Sequence, residues 1–192
     1  MSQPRILALA GSLRKDSYNK QLLSVAIEAA SKAGASVTRL DLRDYPLPIY
    51  DADLEFESGL PANAVALKKL FLNAQGLLIA SPEYNGSITA VLKNTIDWVS
   101  RPSPSEAPLA AFNNKVVALM SASPGALGGL RALVHVRAIF SNLNTLVLPA
   151  QVSIPKANEA FTPEGHLKDP RQQANAEKLG ASLAAAVEKW NR

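Results

Sequence analysis

The chain contains no cysteine, which excludes disulfides, thiolate nucleophiles and zinc–thiolate centres. Histidine is nearly as scarce. The two present, His135 in a helical stretch and His166 in a late loop, read as surface or structural residues. No serine stands in a G-x-S-x-G turn, so Ser-His-Asp catalysis has no anchor. Long hydrophobic runs are missing too: stretches such as Gly76–Ala80 and 116–120 fall far short of the roughly 20 apolar residues that cross a bilayer. The apolar stretch 6–10 near the start is too short for a secretory signal, so a cytoplasmic location is expected and the Asn85-Gly86-Ser87 glycosylation pattern is accidental. Charge of one sign is also modest. The formal net charge of +4 comes from scattered basic residues, with no Lys/Arg run interleaved with aromatics, and binding to nucleic acid is not expected.

The chain does hold apolar material for a core. At 192 residues, 47% hydrophobic and 19% charged, it suits one independently folding domain over 1–192. Residues 5–10, 36–42, 76–81, 115–121 and 145–148 are short, mostly apolar runs of the kind buried on both faces of a parallel sheet. Segments of helical period lie between and after them, at 21–33, 62–74, 88–99, 127–142 and 172–190. In the third, Ile88, Val91, Leu92, Thr95, Ile96 and Val99 form one stripe, and Lys93 and Asp97 form an i, i+4 pair. Leu179, Leu183, Val187 and Trp190 repeat the stripe in the last helix. Gly34 suits a helix end and Pro61 a helix start. Residues 44–60 and 150–170 fall outside this alternation and read as surface loops, as does 101–105.

Strand–helix alternation predicts an α/β fold with three layers, a five-stranded parallel sheet in the flavodoxin-like order 2-1-3-4-5 flanked by helices. In such sheets ligands bind beyond the carboxyl ends of the strands, near the switch point. The loops after strands one, three and four are therefore the candidate site.

The first loop reads Gly11-Ser12-Leu13-Arg14-Lys15-Asp16-Ser17-Tyr18-Asn19 and runs into a helix. Hydroxyls, a guanidinium fork and the unpaired N–H groups of a helix N-terminus together suit a phosphate dianion, so Ser12, Arg14, Ser17 and Asn19, with Tyr18 beside them, are assigned to one. Ser17 and Asn19 have a second reading as plain helix caps. Neither G-x-x-x-x-G-K-[ST] nor G-x-G-x-x-G follows the strand, which argues against ATP hydrolysis and Rossmann dinucleotide binding.

The second loop, Ser81-Pro82-Glu83-Tyr84-Asn85-Gly86-Ser87, is a polar turn before a helix. Its N–H groups could bond the edge of a planar heterocycle, with Pro82 stiffening the loop and Gly86 permitting close approach. Glu83 reads equally as a solvated carboxylate at a helix start, and Tyr84 as a stacking or a subunit-contact residue. The third loop, Ser121-Ala122-Ser123-Pro124-Gly125-Ala126-Leu127-Gly128-Gly129, is small enough to lie under a flat ring, or is an ordinary Gly-rich turn.

Gly11-Ser12-Leu13-Arg14 through Ser17 and Asn19, Ser81-Pro82-Glu83-Tyr84-Asn85-Gly86, and Leu92-Lys93-Asn94-Thr95-Ile96-Asp97-Trp98 resemble, in this order and spacing, the NADPH-dependent FMN reductase family. Within it the likeness is greatest to the branch of bacterial quinone and chromate reductases and related azoreductases. The resemblance implies noncovalent FMN, NADPH or NADH as co-substrate, two-electron reduction of a quinone, azo compound, chromate or free flavin, and a homodimer or homotetramer. It also implies phosphate contacts at Ser12, Arg14, Ser17 and Asn19, an isoalloxazine loop at Glu83, Tyr84, Asn85 and Gly86 next to Pro82, and further flavin contact at Ser123 beside Gly125. No side chain is assigned as acid or base, because the hydride chemistry belongs to the cofactor. The alternative reading is a flavodoxin-like electron carrier that does not itself oxidise nicotinamide nucleotides; a further one keeps the fold without a flavin.

Overall fold

The computed structural model describes residues 3–103 and 106–191; Pro104 and Ser105 of the expected 101–105 loop lie outside the described residues. The elements run β1 (Arg5–Ala10), α1 (Tyr18–Lys32), β2 (Ser36–Leu40), a 3₁₀ turn (Leu42–Asp44), α2 (Ala52–Ser58), α3 (Ala62–Asn73), β3 (Gly76–Ala80), α4 (Ala90–Val99), β4 (Val116–Ala122), α5 (Leu130–Asn142), β5 (Leu146–Ile154), α6 (Ala157–Ala160) and α7 (Pro170–Trp190). The five strands form one parallel sheet in the order β2-β1-β3-β4-β5, as the alternation predicts. No helix among the described residues is long and apolar enough to cross a membrane.

Alternate residues of the central strands feed two cores. Ile6, Ala8 and Ala10 of β1 pack with Leu22, Ala26, Leu179 and Leu183 beneath α1 and α7, while Leu7 and Leu9 pack with Leu67, Leu92 and Leu133 beneath α3, α4 and α5. With helices on both faces, β3 and β4 are buried along their whole length, which is why they read as unbroken apolar runs. On the first face α7 lies against α1 so closely that a Cβ on Gly180 would stand 2.1 Å from the carbonyl oxygen of Ala26.

Three expectations need correction. The stretch 44–60 is not all loop: it holds α2, capped by Asp51, whose carboxylate accepts from the Asp53 N–H at 2.9 Å. None of its residues is buried, so it carries no apolar stripe to read. The stretch 150–170 is not all loop either. β5 runs on past Pro149 to Ile154, and α6 follows. Its register against β4 shifts between Val117 and Leu119, an irregularity that accommodates the missing proline N–H. Trp190 does not complete the buried stripe of α7; it is half exposed, and its indole N–H donates to the Asn114 carbonyl at 3.0 Å.

The loop after β2 is fastened to α4 by two residues one helical turn apart. The Asn94 side-chain amide and the Trp98 indole both donate to the Pro48 carbonyl, at 2.8 and 2.9 Å, and Asn94 also accepts the Tyr50 N–H at 2.8 Å. Lys93 and Asp97 form the anticipated surface pair at 2.8 Å.

Candidate functional site

Because all five strands point the same way, the loops after β1, β3 and β4 emerge at one end of the sheet, and side-chain bonds knit them together. Thr89 caps α4, accepting the Leu92 N–H, and donates its hydroxyl to the Gly11 carbonyl at 2.7 Å. The third loop is held from the other side, where the Ser123 N–H donates to Ile154 and the Ser123 carbonyl accepts from Ala157, both at 3.1 Å.

In the first loop Ser12 and Ser17 are buried and Arg14 is exposed. α1 starts three residues earlier than its apolar stripe, with Ser17 as N-cap in extended backbone, yet the Ser17 side chain makes no capping hydrogen bond. Its hydroxyl is therefore not used as a cap. The Lys20 and Gln21 N–H groups already bond the Ser17 carbonyl, at 2.9 and 3.1 Å. That leaves Tyr18 and Asn19 to supply the first-turn N–H groups without an intrahelical acceptor. The Ser12 hydroxyl accepts from the Arg14 N–H at 3.3 Å and shapes the turn.

The Asn19 side chain has a job the sequence does not reveal. Its amide nitrogen donates to the Ala122 carbonyl at 2.8 Å and its oxygen accepts the Ala122 N–H at 3.0 Å, in the interior. It neither caps α1 nor points a free amide into the recess; it pins the start of α1 to the end of β4.

Glu83 is similarly engaged. It is not a solvated carboxylate at the start of α4: it braces the start of α5, accepting from Arg131 Nε at 2.7 Å, the Arg131 N–H at 3.1 Å and the Ala132 N–H at 3.4 Å. Burial pushes the Glu83 carboxyl up, but the Arg131 guanidinium and the two N–H groups outweigh it and hold the pKa below the usual carboxylate range. A carboxyl in that state accepts hydrogen bonds and is not poised to donate a proton. Because folding lowers its pKa, the stability it contributes is complete above the ordinary value of 4.5 and is lost as pH falls through the folded value. Glu83→Gln is thus expected to cost about 1 kcal/mol at pH 7, with the gap to the parent protein closing as pH drops below 4.5; urea midpoints at neutral and acid pH check it.

Tyr84 to Ser87 form a two-residue hairpin turn, with the Tyr84 and Ser87 N–H groups each bonding the other's carbonyl at 3.0 Å. Asn85 and Gly86 have φ of 52° and 79°, the positive values that a type I′ turn requires. A Cβ on Gly86 would meet nothing within 4 Å, so glycine serves the backbone angle here rather than a close approach within the protein. The Asn-Gly pair is the textual signal of this turn. The Ser87 hydroxyl lies 2.8 Å from His135 Nδ1, a second tie from this loop to α5 and a structural use for that histidine.

Ser12, Arg14, Ser17, Pro82, Tyr84 and Ser123 line one recess of about 60 Å³, joined by Tyr18, Asn19 and Glu83. Asn85, Gly86 and Gly125 do not line it. Ala122 and Pro124, which no sequence argument singled out, do. The recess takes a phosphate-sized group and not a tricyclic ring, and exposed Tyr84, Pro124 and Gly125 stand beside its mouth. Larger grooves, about 420 Å³ between β5 and α7 and about 460 Å³ between α1 and α7, contain no residue of the three loops. One aromatic contact also escaped the sequence reading: the Tyr18 ring, with Arg14 Cζ 5.6 Å from its centroid, is stacked with Phe161.

A family profile described as NADPH-dependent FMN reductase matches residues 4–159. An NAD(P)H-dependent FMN reductase of Pseudomonas aeruginosa is 35% identical over 190 residues, covering 98% of this chain and 95% of that protein. An NADPH:quinone oxidoreductase of Arabidopsis thaliana is 34% identical over 186 residues, covering 94% and 90%. Among solved structures, the flavoenzyme NAD(P)H:(acceptor) oxidoreductase of Paracoccus denitrificans superposes with a TM-score of 0.79 at 26% identity, covering 97% of this chain and 98% of that one.

Proposed function

As a member of the NADPH-dependent FMN reductase family, this chain is an FMN-dependent NAD(P)H oxidoreductase acting on a small acceptor, and we propose that its three strand-end loops are where FMN is held. The observation that carries this assignment is the recess shared by the three loops, with a guanidinium and buried hydroxyls around a space of phosphate size.

The residues present fit the cofactor's phosphate. Ser12, Arg14 and Ser17 would hold it, with the Tyr18 and Asn19 N–H groups at the positive end of α1. Asn19 keeps that helix end in place through Ala122. The ring would lie across the mouth of the recess, against the Pro82–Gly86 turn and the small residues Ser123 to Gly125. When bound, FMN supplies the hydride chemistry, accepting from NADPH or NADH and reducing a quinone, azo compound, chromate or free flavin. Glu83, ionised and fully engaged with α5, moves no proton in this scheme. The chain's own contribution is binding, orientation and a preset array of donors.

One flavodoxin-like domain over 1–192 carries the activity, in the cytoplasm and in a homodimer or homotetramer. Ile49 and Phe56, 76% and 93% exposed, the latter on a helix with no buried residue, are the apolar side chains we assign to that assembly's contact. The acceptor face is open, which suits planar compounds of several kinds.

An anaerobic NADPH titration after reconstitution with FMN tests the reading. The bound flavin's absorbance should bleach with one equivalent of nicotinamide nucleotide and return on adding a quinone. A flavin that binds tightly yet is reduced by neither NADPH nor NADH would overturn it in favour of an electron carrier.

A further inference from the structure

Arg14 is exposed, and an unrestrained arginine gives up much rotamer freedom when it fixes a ligand. It is not unrestrained here. Its guanidinium carbon stands 5.6 Å from the centroid of the Tyr18 ring, within reach of a cation–π contact. The Tyr18 ring is itself stacked with the Phe161 ring, the centroids 6.3 Å apart and the planes within 3° of parallel.

Phe161 belongs to a small, well-anchored hairpin between α6 and α7. Phe161 and Leu167 form an antiparallel bridge. The Thr162 N–H donates to the His166 carbonyl at 2.8 Å, and the Lys168 N–H to the Ala160 carbonyl at 2.9 Å. Leu167 is buried in the core beneath α1 and α7, and its N–H donates to the Gln173 side chain on α7 at 2.9 Å. The face of Phe161 is thereby fixed from α7. Phe161 also lies beyond the residues 4–159 that the family profile covers.

The geometry points to Phe161 as a positioning residue for cofactor binding: through the Tyr18 ring it holds the Arg14 guanidinium over the recess before the phosphate arrives. Preorganisation of this kind raises affinity by removing an ordering cost rather than by adding a contact. The inference rests on the reading that Arg14 meets the FMN phosphate, and riboflavin, which lacks the phosphate, separates the two.

The test measures Kd for FMN and for riboflavin on the apoprotein by flavin fluorescence quenching, in Phe161→Leu, Phe161→Tyr and Phe161→Ala, each with Arg14 and with Arg14→Ala. Phe161→Leu and Phe161→Ala should raise the FMN Kd about three- to fivefold, and Phe161→Tyr, which keeps a flat ring, should restore it. The riboflavin Kd should not move, and with Arg14→Ala in place the Phe161 substitutions should have no further effect. Equal weakening of FMN and riboflavin, or an undiminished Phe161 effect in the Arg14→Ala background, would overturn the role. If Arg14→Ala alone leaves FMN binding unchanged, the phosphate reading itself fails. Phe161→Leu keeps an apolar side chain in the hairpin, so the comparison survives if Phe161→Ala does not fold.

Discussion

Arg14→Ala should raise the Kd for FMN by about 10- to 150-fold, equivalent to about 1.5–3 kcal/mol for a hydrogen bond to a charged group. Among the described residues lining the recess, Arg14 is the sole cation. The anion there, Glu83, is balanced by Arg131. The hydroxyls of Ser12 and Ser17 and the N–H groups opening α1 are neutral donors, so removing Arg14 takes away the one full positive charge among the described residues lining the recess. Arg14→Lys should recover part of the loss, since an ammonium keeps the charge but not the planar fork that matches two phosphate oxygens. Equilibrium titration of apoprotein with FMN and with riboflavin gives the answer. A substitution that weakens both flavins alike, or neither, would show that Arg14 does not contact the phosphate.

The second large effect is on stability. Gly180→Ala is expected to lower the unfolding free energy by about 1–3 kcal/mol, even though alanine is favoured over glycine inside a helix by about 1 kcal/mol. The added Cβ would fall 2.1 Å from the Ala26 oxygen, and that atom is backbone of α1, which no rotamer change can move. α1 and α7 would have to separate by on the order of 1 Å to reach ordinary contact distance. α1 also has Ser17 as its N-cap and Asn19 in its first turn, so the displacement reaches the first of the candidate loops. Urea unfolding should show a lower midpoint at unchanged slope, together with weaker FMN retention. A midpoint equal to or above the parent's would mean that the two helices are not packed as described.

Much of the fold was legible because it is written in local patterns. The strands β1 and β3 sit almost where the apolar runs stop, since burial on both faces demands uninterrupted apolar residues. Thr95, Ile96 and Val99 of the predicted stripe are buried in α4. Segments without such a pattern were not legible. α2 buries nothing, and β5 continues through a proline only because its register against β4 can slip. Gly180 in a helical stretch reads as a weakness, and nothing local shows that it is the surface on which α1 rests.

The candidate loops divide in the same way. Their place at the strand ends, the hydroxyls and guanidinium of the first, and the Asn85-Gly86 turn of the second follow from residue type and spacing alone. What each side chain does with its polar atoms does not. Asn19 is bound to Ala122, Glu83 to the start of α5, and Tyr18 is stacked with Phe161, partners far along the chain that only the closed sheet brings within reach. The sequence by itself therefore determined the parallel α/β fold, the end of the sheet at which the three candidate loops meet and the donor-rich makeup of the first. The tertiary structure decided which of those residues remain free for a ligand and which are occupied in holding the loops together, because a hydrogen bond or a ring contact depends on positions that meet only after folding.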